Sequence, residues 1–162
     1  MKMLRAMREP LKYVQGKNAC LEFEKEMGYM GKRFLFVCSN SGYKATHDMI
    51  EQSFEGKGDY YRRYEVFGGI SSNGEINRMK AIVEEDNIDV VVAIGGGSAV
   101  DTAKATAYYA GKRIVILPTV AATDAPCTGL SVIYNDDGSF DKYLFYPQNP
   151  DAVMVDTQII AN

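Results

Sequence analysis

The segment VVVAIGGGSAVDTAKATAYYAG, Val90 to Gly111, constrains the fold more than any other part of the chain. An unbroken apolar run enters three consecutive glycines and leaves them in a pattern with helical spacing. Apolar residues without polar alternation suit a strand buried on both faces, as in a parallel sheet covered by helices on either side. Glycines at the junction let the backbone turn tightly and approach a ligand closely. The helix that follows offers unpaired N–H groups and the positive end of its dipole, a combination suited to a pyrophosphate. The spacing is neither G-x-G-x-x-G nor a P-loop. A plainer reading gives Gly95, Gly96 and Gly97 only the tight turn, but the clear strand before them and helix after them are the context a phosphate loop needs. Ser98 reads as the N-cap with Asp101 three residues on, close to a capping box, and its hydroxyl also suits a phosphate oxygen.

The rest of the chain alternates in the same way. RFLFVC (Arg33 to Cys38) is a short buried strand. Lys44 to Glu55 has helical spacing, with the sole histidine, His47, on its surface. Tyr60 to Phe67 is an aromatic-rich strand. NGEINRMKAIVEEDN is a helix with Asn73 as candidate N-cap and Ile76, Met79, Ile82 and Val83 on one face. The strand Ile88 to Ile94, the helix ending at Gly111 as its C′ residue, and the strand Arg113 to Pro118 follow. Strands alternating with helices imply right-handed crossovers and a parallel sheet with helices on both faces. LSVIYNDDGSFDKYLFY then reads as a β-hairpin around NDDG, beside the sheet. AVMVD (Ala152 to Asp156) is one more strand, and TQIIAN opens a helix capped by Asp156 or Thr157. A domain seldom stops just inside a new element, so the expectation is the first part of something longer. Before Gly31, PLKYVQ suits a strand and Asn18 to Met27 a helix, with no role assigned to either.

The 162 residues suit one domain with a substantial core. At 46% hydrophobic, 24% charged and a net charge of −3, the chain has no basic stripe and excludes a nucleic-acid footprint. The basic residues Lys2, Arg5, Arg8 and Lys12 precede no long apolar run, so neither a signal peptide nor a membrane span is expected. Three cysteines, Cys20, Cys38 and Cys127, without a C-x-x-C, argue for a reduced, cytoplasmic protein. One histidine does not build a catalytic zinc site.

The loop after the next strand, LPTVAATDAPCTGLSVIY, lies beside the glycine run, at the carboxyl ends of the strands where open α/β sheets bind ligands. Its small residues admit a flat ligand, and Thr119, Thr123 and Thr128 offer hydroxyls. Asp124 is by default a turn or cap residue; its functional alternative is to accept hydrogen bonds from substrate hydroxyls. Cys127 has no visible base and reads as a small packed thiol.

GGGSAVDTAKA, TDAPCTGLSVIY and QNPDAVMVDTQII together resemble the glycerol dehydrogenases of the iron-containing (group III) alcohol dehydrogenase superfamily, from about Gly31 onward. The resemblance implies an α/β, Rossmann-like three-layer domain plus the hairpin over residues 1–162, with a separate helical domain that carries the metal ligands and is missing from this chain. It implies hydride transfer between a small polyol and NAD, with zinc or iron polarising the substrate oxygen only in the full-length enzyme; this stretch alone would be inactive. Gly95, Gly96, Gly97 and Ser98 would hold the pyrophosphate. Thr119, Val120, Ala121, Ala122, Thr128, Leu130 and Tyr134 would line the cofactor channel, Asp101 would shape the nicotinamide side, and Asp124 would face the substrate. Relatives usually carry Gly-Asp where Cys38 and Ser39 stand, and that aspartate grips the adenosine ribose; Ser39 therefore leaves NADP open beside NAD. They also often carry Lys where Ser98 stands. An apolar face left by the helical domain points to a homo-oligomer. Two other readings stand beside this one: a stand-alone, non-catalytic NAD-binding or interaction module, and a dehydrogenase of the same superfamily acting on another alcohol.

Overall fold

Phe34 to Cys38 and Val90 to Gly95 are buried along their whole lengths, and they lie side by side at the centre of the sheet. The computed structural model describes residues 8–161; Lys2 and Arg5 lie outside them. Strands β1 (Lys12–Gly16), β2 (Arg33–Cys38), β3 (Tyr61–Val66), β4 (Val90–Gly95), β5 (Arg113–Pro118) and β8 (Ala152–Asp156) form one six-stranded sheet, in the order β1-β8-β5-β4-β2-β3. Every pairing in it is parallel. Helices α1 (Phe23–Met27), α2 (Asn40–Ser53), α3 (Asn73–Glu85) and α4 (Gly97–Ala110) cover it, and a short α5 (Thr157–Ile160) follows the last strand.

Side-chain alternation along the strands sorts the core into two layers. Phe34, Phe36, Val92, Ile94 and Leu117 face α1 and α2, meeting Phe23, Met27 and Ile50. Leu35, Val37, Val91, Ala93 and Ile116 face α3 and α4, meeting Met79, Val83, Val100 and Ala103. Each fully buried Phe, Ile or Leu of this kind contributes about 1.5–3 kcal/mol. Two adjacent strands buried from Phe34 to Cys38 and from Val90 to Gly95, with both faces covered, make the expected three-layer α/β fold.

Several boundaries shift. Residues expected to form a helix from Asn18 begin instead as a 3-10 turn, Ala19–Glu22, before α1. Helix α2 starts four residues before Lys44, because Ser39 caps it by accepting from the Gly42 amide at 3.0 Å. Helix α3 is capped by Ser72, whose Oγ accepts from the Glu75 amide at 3.3 Å, and Asn73 is its first residue rather than its cap. Helix α4 ends at Gly111, left-handed at φ 64, as its glycine required. Asp156 is the α5 cap, accepting from the Gln158 amide at 3.0 Å.

The hairpin forms a separate two-stranded antiparallel sheet, β6 (Leu130–Tyr134) and β7 (Phe140–Phe145). Ile133 and Leu144 pack it onto Ile76 of α3 and Ala105 of α4. Its turn and β7 also reach α3: Asp136 of the turn accepts from the Gly74 amide at 2.8 Å, and Asn73 donates to Asp141 of β7 at 3.0 Å. The hairpin thus closes over α3 and α4 and fixes the loop that leads into β6.

Candidate cofactor and substrate site

From β2 the chain moves outward to β3, then returns across β2 to β4 and continues to β5. The direction of winding therefore reverses between β2 and β4. The crevice beyond the carboxyl ends of two such strands is where open α/β sheets take ligands. Ser39 and Gly95 form its two lips, joined by a hydrogen bond from the Ser39 amide to the Ile94 carbonyl at 2.9 Å.

The three glycines differ in what the protein asks of them. A Cβ on Gly95 would stand 3.0 Å from Ala99 Cβ and 3.1 Å from Ser39 Oγ, so packing alone requires glycine there. On Gly96 the same atom would meet only Val120 at 3.5 Å, and on Gly97 only Thr123 at 3.5 Å, both ordinary contacts. Gly96 has φ −89, open to any residue. Nothing in the fold demands glycine at 96 and 97, and the space above their backbone is what a phosphate group would use.

Gly96, not Ser98, is the N-cap of α4, and it makes no side-chain cap. Ser98 sits inside the first turn with its side chain exposed. The reason is the extended backbone of Gly96, which starts the helix earlier than a serine cap would. The first intrahelical bond at this end runs from the Val100 amide to the Gly96 carbonyl at 3.1 Å. The preceding amides of Gly97, Ser98 and Ala99 are left to an outside acceptor.

The β5 loop lies against this helix end. The Thr119 amide donates to the Gly95 carbonyl at 3.1 Å, tying the two loops together. Val120, Ala121, Ala122 and Asp124 are exposed, and Thr119 and Thr128 are half-buried. Asp124 makes no side-chain hydrogen bond or ion pair within the described residues. Leu130 and Tyr134, at the two ends of β6, are half-buried. Tyr134 is carried toward the start of α3, where its amide donates to Ser71 at 2.9 Å. An open groove at the same sheet edge is lined by Pro118, Val120, Thr123, Cys127, Val155 and Ile160.

Asp101 turns inward. Its Oδ2 accepts from the Val132 amide at 3.1 Å, and its Oδ1 lies 3.3 Å from Lys104 Nζ. Lys104 is a residue that the sequence reading did not select. It is buried, and burial holds its ammonium below the ordinary range, opposed by Asp101, Asp124 and Cys127. The only sequence signal for it is a lysine inside the otherwise apolar stretch AVDTAKATA.

All three cysteines are free; Cys20 and Cys38 are buried and Cys127 is exposed. Burial raises the Cys38 thiol to about 12, far from a reactive thiolate. Cys127 is also pushed up by burial, with Lys104 opposing, so the exposed thiol is not activated either. His47 lies against Tyr43 at a tilt and meets Tyr64 edge-on. Among the described residues no group of three or more His, Cys, Asp or Glu side chains could hold a metal ion. Nor is any helix among them long and apolar enough to cross a membrane.

A parallel sheet covered by helices, with a glycine-led helix end at its winding reversal, defines a Rossmann-like α/β domain. Residues 10–157 match the family model of the iron-containing alcohol dehydrogenases, and the chain belongs to that family. It is 45% identical over 152 residues to a glycerol dehydrogenase of Thermotoga maritima, which covers 94% of this chain and 41% of that protein. A glycerol dehydrogenase of Escherichia coli is 40% identical over 159 residues, covering 98% of this chain and 43% of its own length. Among solved structures, a probable glycerol dehydrogenase from Sinorhizobium meliloti superposes with a TM-score of 0.86 at 36% identity, over 98% of this chain and 42% of that one. The chain thus spans about two fifths of the length of these relatives.

Proposed function

We propose that this chain is the NAD(P)-binding part of a metal-dependent dehydrogenase that passes hydride between a small polyol, glycerol above all, and the nicotinamide ring. The observation that carries the reading is the pair Gly96 and Gly97, glycines that no neighbour in the protein demands, set at the N-terminus of a fourteen-residue helix. The pyrophosphate would lie over them, held by the free amides of the first turn and the Ser98 hydroxyl. Thr119 to Ala122 would line the nicotinamide side, and Thr128, Leu130 and Tyr134 the remaining wall. Asp124 would accept hydrogen bonds from the polyol hydroxyls. NAD(P), when bound, would supply the hydride acceptor, and the role of this chain's residues would be to hold the polyol carbon against it. Zinc or iron in the whole enzyme would supply Lewis-acid polarisation of the substrate oxygen. The family membership and the relatives named glycerol dehydrogenase support the substrate class.

Cofactor choice turns on Ser39. Its hydroxyl is engaged with the Gly42 amide, and it offers no carboxylate to a ribose 2′-hydroxyl or against a 2′-phosphate. The test is a calorimetric titration of this chain with NAD+ and with NADP+, without metal. Saturable binding of either is expected. Absence of both would defeat the nucleotide reading.

A further inference from the structure

The loop that carries Asp124 is held from within by its carbonyl oxygens. Five of them, between Ala125 and Leu130, accept hydrogen bonds from Lys104, Tyr146 and Asn149. Asn149 donates to the Cys127 carbonyl at 2.8 Å, and the Tyr146 amide donates to the Gly129 carbonyl at 2.8 Å. The other three converge on one group: Lys104 Nζ donates to Ala125 at 2.9 Å, to Thr128 at 3.4 Å and to Leu130. An ammonium has three N–H donors, and here each has a carbonyl to point to.

Lys104 belongs to α4, the helix whose first turn faces the crevice. Its neighbour Asp101, one turn nearer the glycines, binds the same segment beyond the loop through the Val132 amide. The Asp101 carbonyl accepts from Ser131 Oγ at 3.2 Å, and Ser131 in turn accepts from the Tyr146 hydroxyl at 2.8 Å. Helix α4 and the loop are therefore joined through two side chains on successive turns. Filling the space would not explain the lysine. A methionine is of similar length and avoids the cost of desolvating an ammonium. The charge is retained where it gathers three carbonyls of one loop, those of Ala125, Thr128 and Leu130, around a single group.

We propose that Lys104, steadied by Asp101, is a positioning residue of the cofactor and substrate site. It locks the Ala125–Leu130 segment to the helix that receives the pyrophosphate, so that Asp124 and the nicotinamide-side lining keep a fixed offset from the glycine run. The inference rests on the NAD(P) reading above. In this arrangement the strand β5 sets the spacing of the two stretches along the sheet, and Lys104 sets it across.

The experiment compares NAD+ with ADP-ribose, which keeps the adenosine and pyrophosphate but lacks nicotinamide, on wild type and Lys104→Met. Losing a charged hydrogen-bond set should weaken NAD+ by about tenfold or more. ADP-ribose, which lacks the nicotinamide that Asp124 and the Thr119–Ala122 lining would face, should change by less than about twofold. A merely structural lysine would weaken both ligands together, and that result, or no change for either, overturns the proposal. Wild type that binds neither ligand defeats the nucleotide reading instead. In that case hydrogen exchange decides the clamp: faster exchange at Ala125, Cys127 and Val132 with β4 unchanged upholds it, and unchanged loop exchange refutes it. If Lys104→Met does not fold, Asp101→Asn gives the same comparison, since it keeps an acceptor for Val132 and removes the charge beside Lys104.

Discussion

Replacing Gly95 and Gly96 by alanine, one at a time, separates packing from ligand binding in adjacent residues. At Gly95 the new methyl would press on Ala99 Cβ at 3.0 Å and on the Ser39 side chain at 3.1 and 3.2 Å, in a backbone conformation (φ 154) that side chains rarely adopt. Overpacking of this order costs about 1–3 kcal/mol. In a domain of this size each kcal/mol lowers Tm by about 2–4 °C, so Gly95→Ala should melt roughly 2–12 °C below wild type. At Gly96 the methyl meets only Val120 at 3.5 Å, with φ −89. Alanine gains about 0.4–1 kcal/mol by restricting the unfolded chain and loses a similar amount as a poorer N-cap than glycine. Gly96→Ala should therefore melt within a few degrees of wild type, yet its methyl occupies the space assigned to the pyrophosphate, and NAD+ affinity should fall by about tenfold or more. The assays are thermal unfolding followed by circular dichroism and calorimetric titration. If Gly96→Ala melts as low as Gly95→Ala, or still binds NAD+ as wild type does, the argument that glycine at 96 answers to a ligand is wrong.

Ser39→Asp should keep the α2 cap, since aspartate caps as well as serine, and should disfavour NADP+ relative to NAD+ by about tenfold through like-charge repulsion, read by parallel titrations. Asp124→Ala should leave the chain's stability within about 0.5 kcal/mol, because the side chain is exposed and makes no hydrogen bond or ion pair, while in the whole enzyme it should depress polyol turnover. Glu75 tests the acid limb. The bidentate contact with Arg78, aided by the Gly68 amide, holds its carboxyl below the ordinary 4.5. A folded-state value below the unfolded one adds stability that is present above about 4.5 and is lost as pH falls through the folded value. Glu75→Gln should therefore flatten the fall of Tm below about pH 4.5, and an unchanged acid limb would refute that role.

The strands were legible where burial on both faces leaves an apolar run with a charge only at one end: β2, β5 and β8 run over the residues expected, Arg33–Cys38, Arg113–Pro118 and Ala152–Asp156. Strand β1 was only a suggestion without a role. It is a short edge strand whose partner, β8, lies far along the chain at Lys12↔Ala152, and no local pattern announces a pairing of that range. Caps were misplaced by one or two residues because Ser72 and Asn73 are equally good caps by composition. The choice at Gly96 rests on backbone geometry, which the Ser98–Asp101 spacing does not reveal. Asp101 was singled out, but its inward course was not visible, because its partner is a backbone amide. Lys104 was missed for the same reason: it binds carbonyls, which carry no residue identity. The crevice itself was legible, since a glycine run after a buried strand fixes which end of the sheet it occupies.

The order of the sheet carries a consequence for how the chain is made. Strand β8 sits between β5 and β1, so until residues 152–156 leave the ribosome, β5 presents an open edge and β1 has no neighbour. Both are parallel edges of high sequence separation, the pairing that forms slowly and leaves nascent chains prone to intermolecular strand addition. Of the six strands of this sheet, the one latest in sequence is thus the one that joins its two parts, and synthesis interrupted before Ala152 should yield chains held by chaperones or lost to aggregates rather than a smaller stable core.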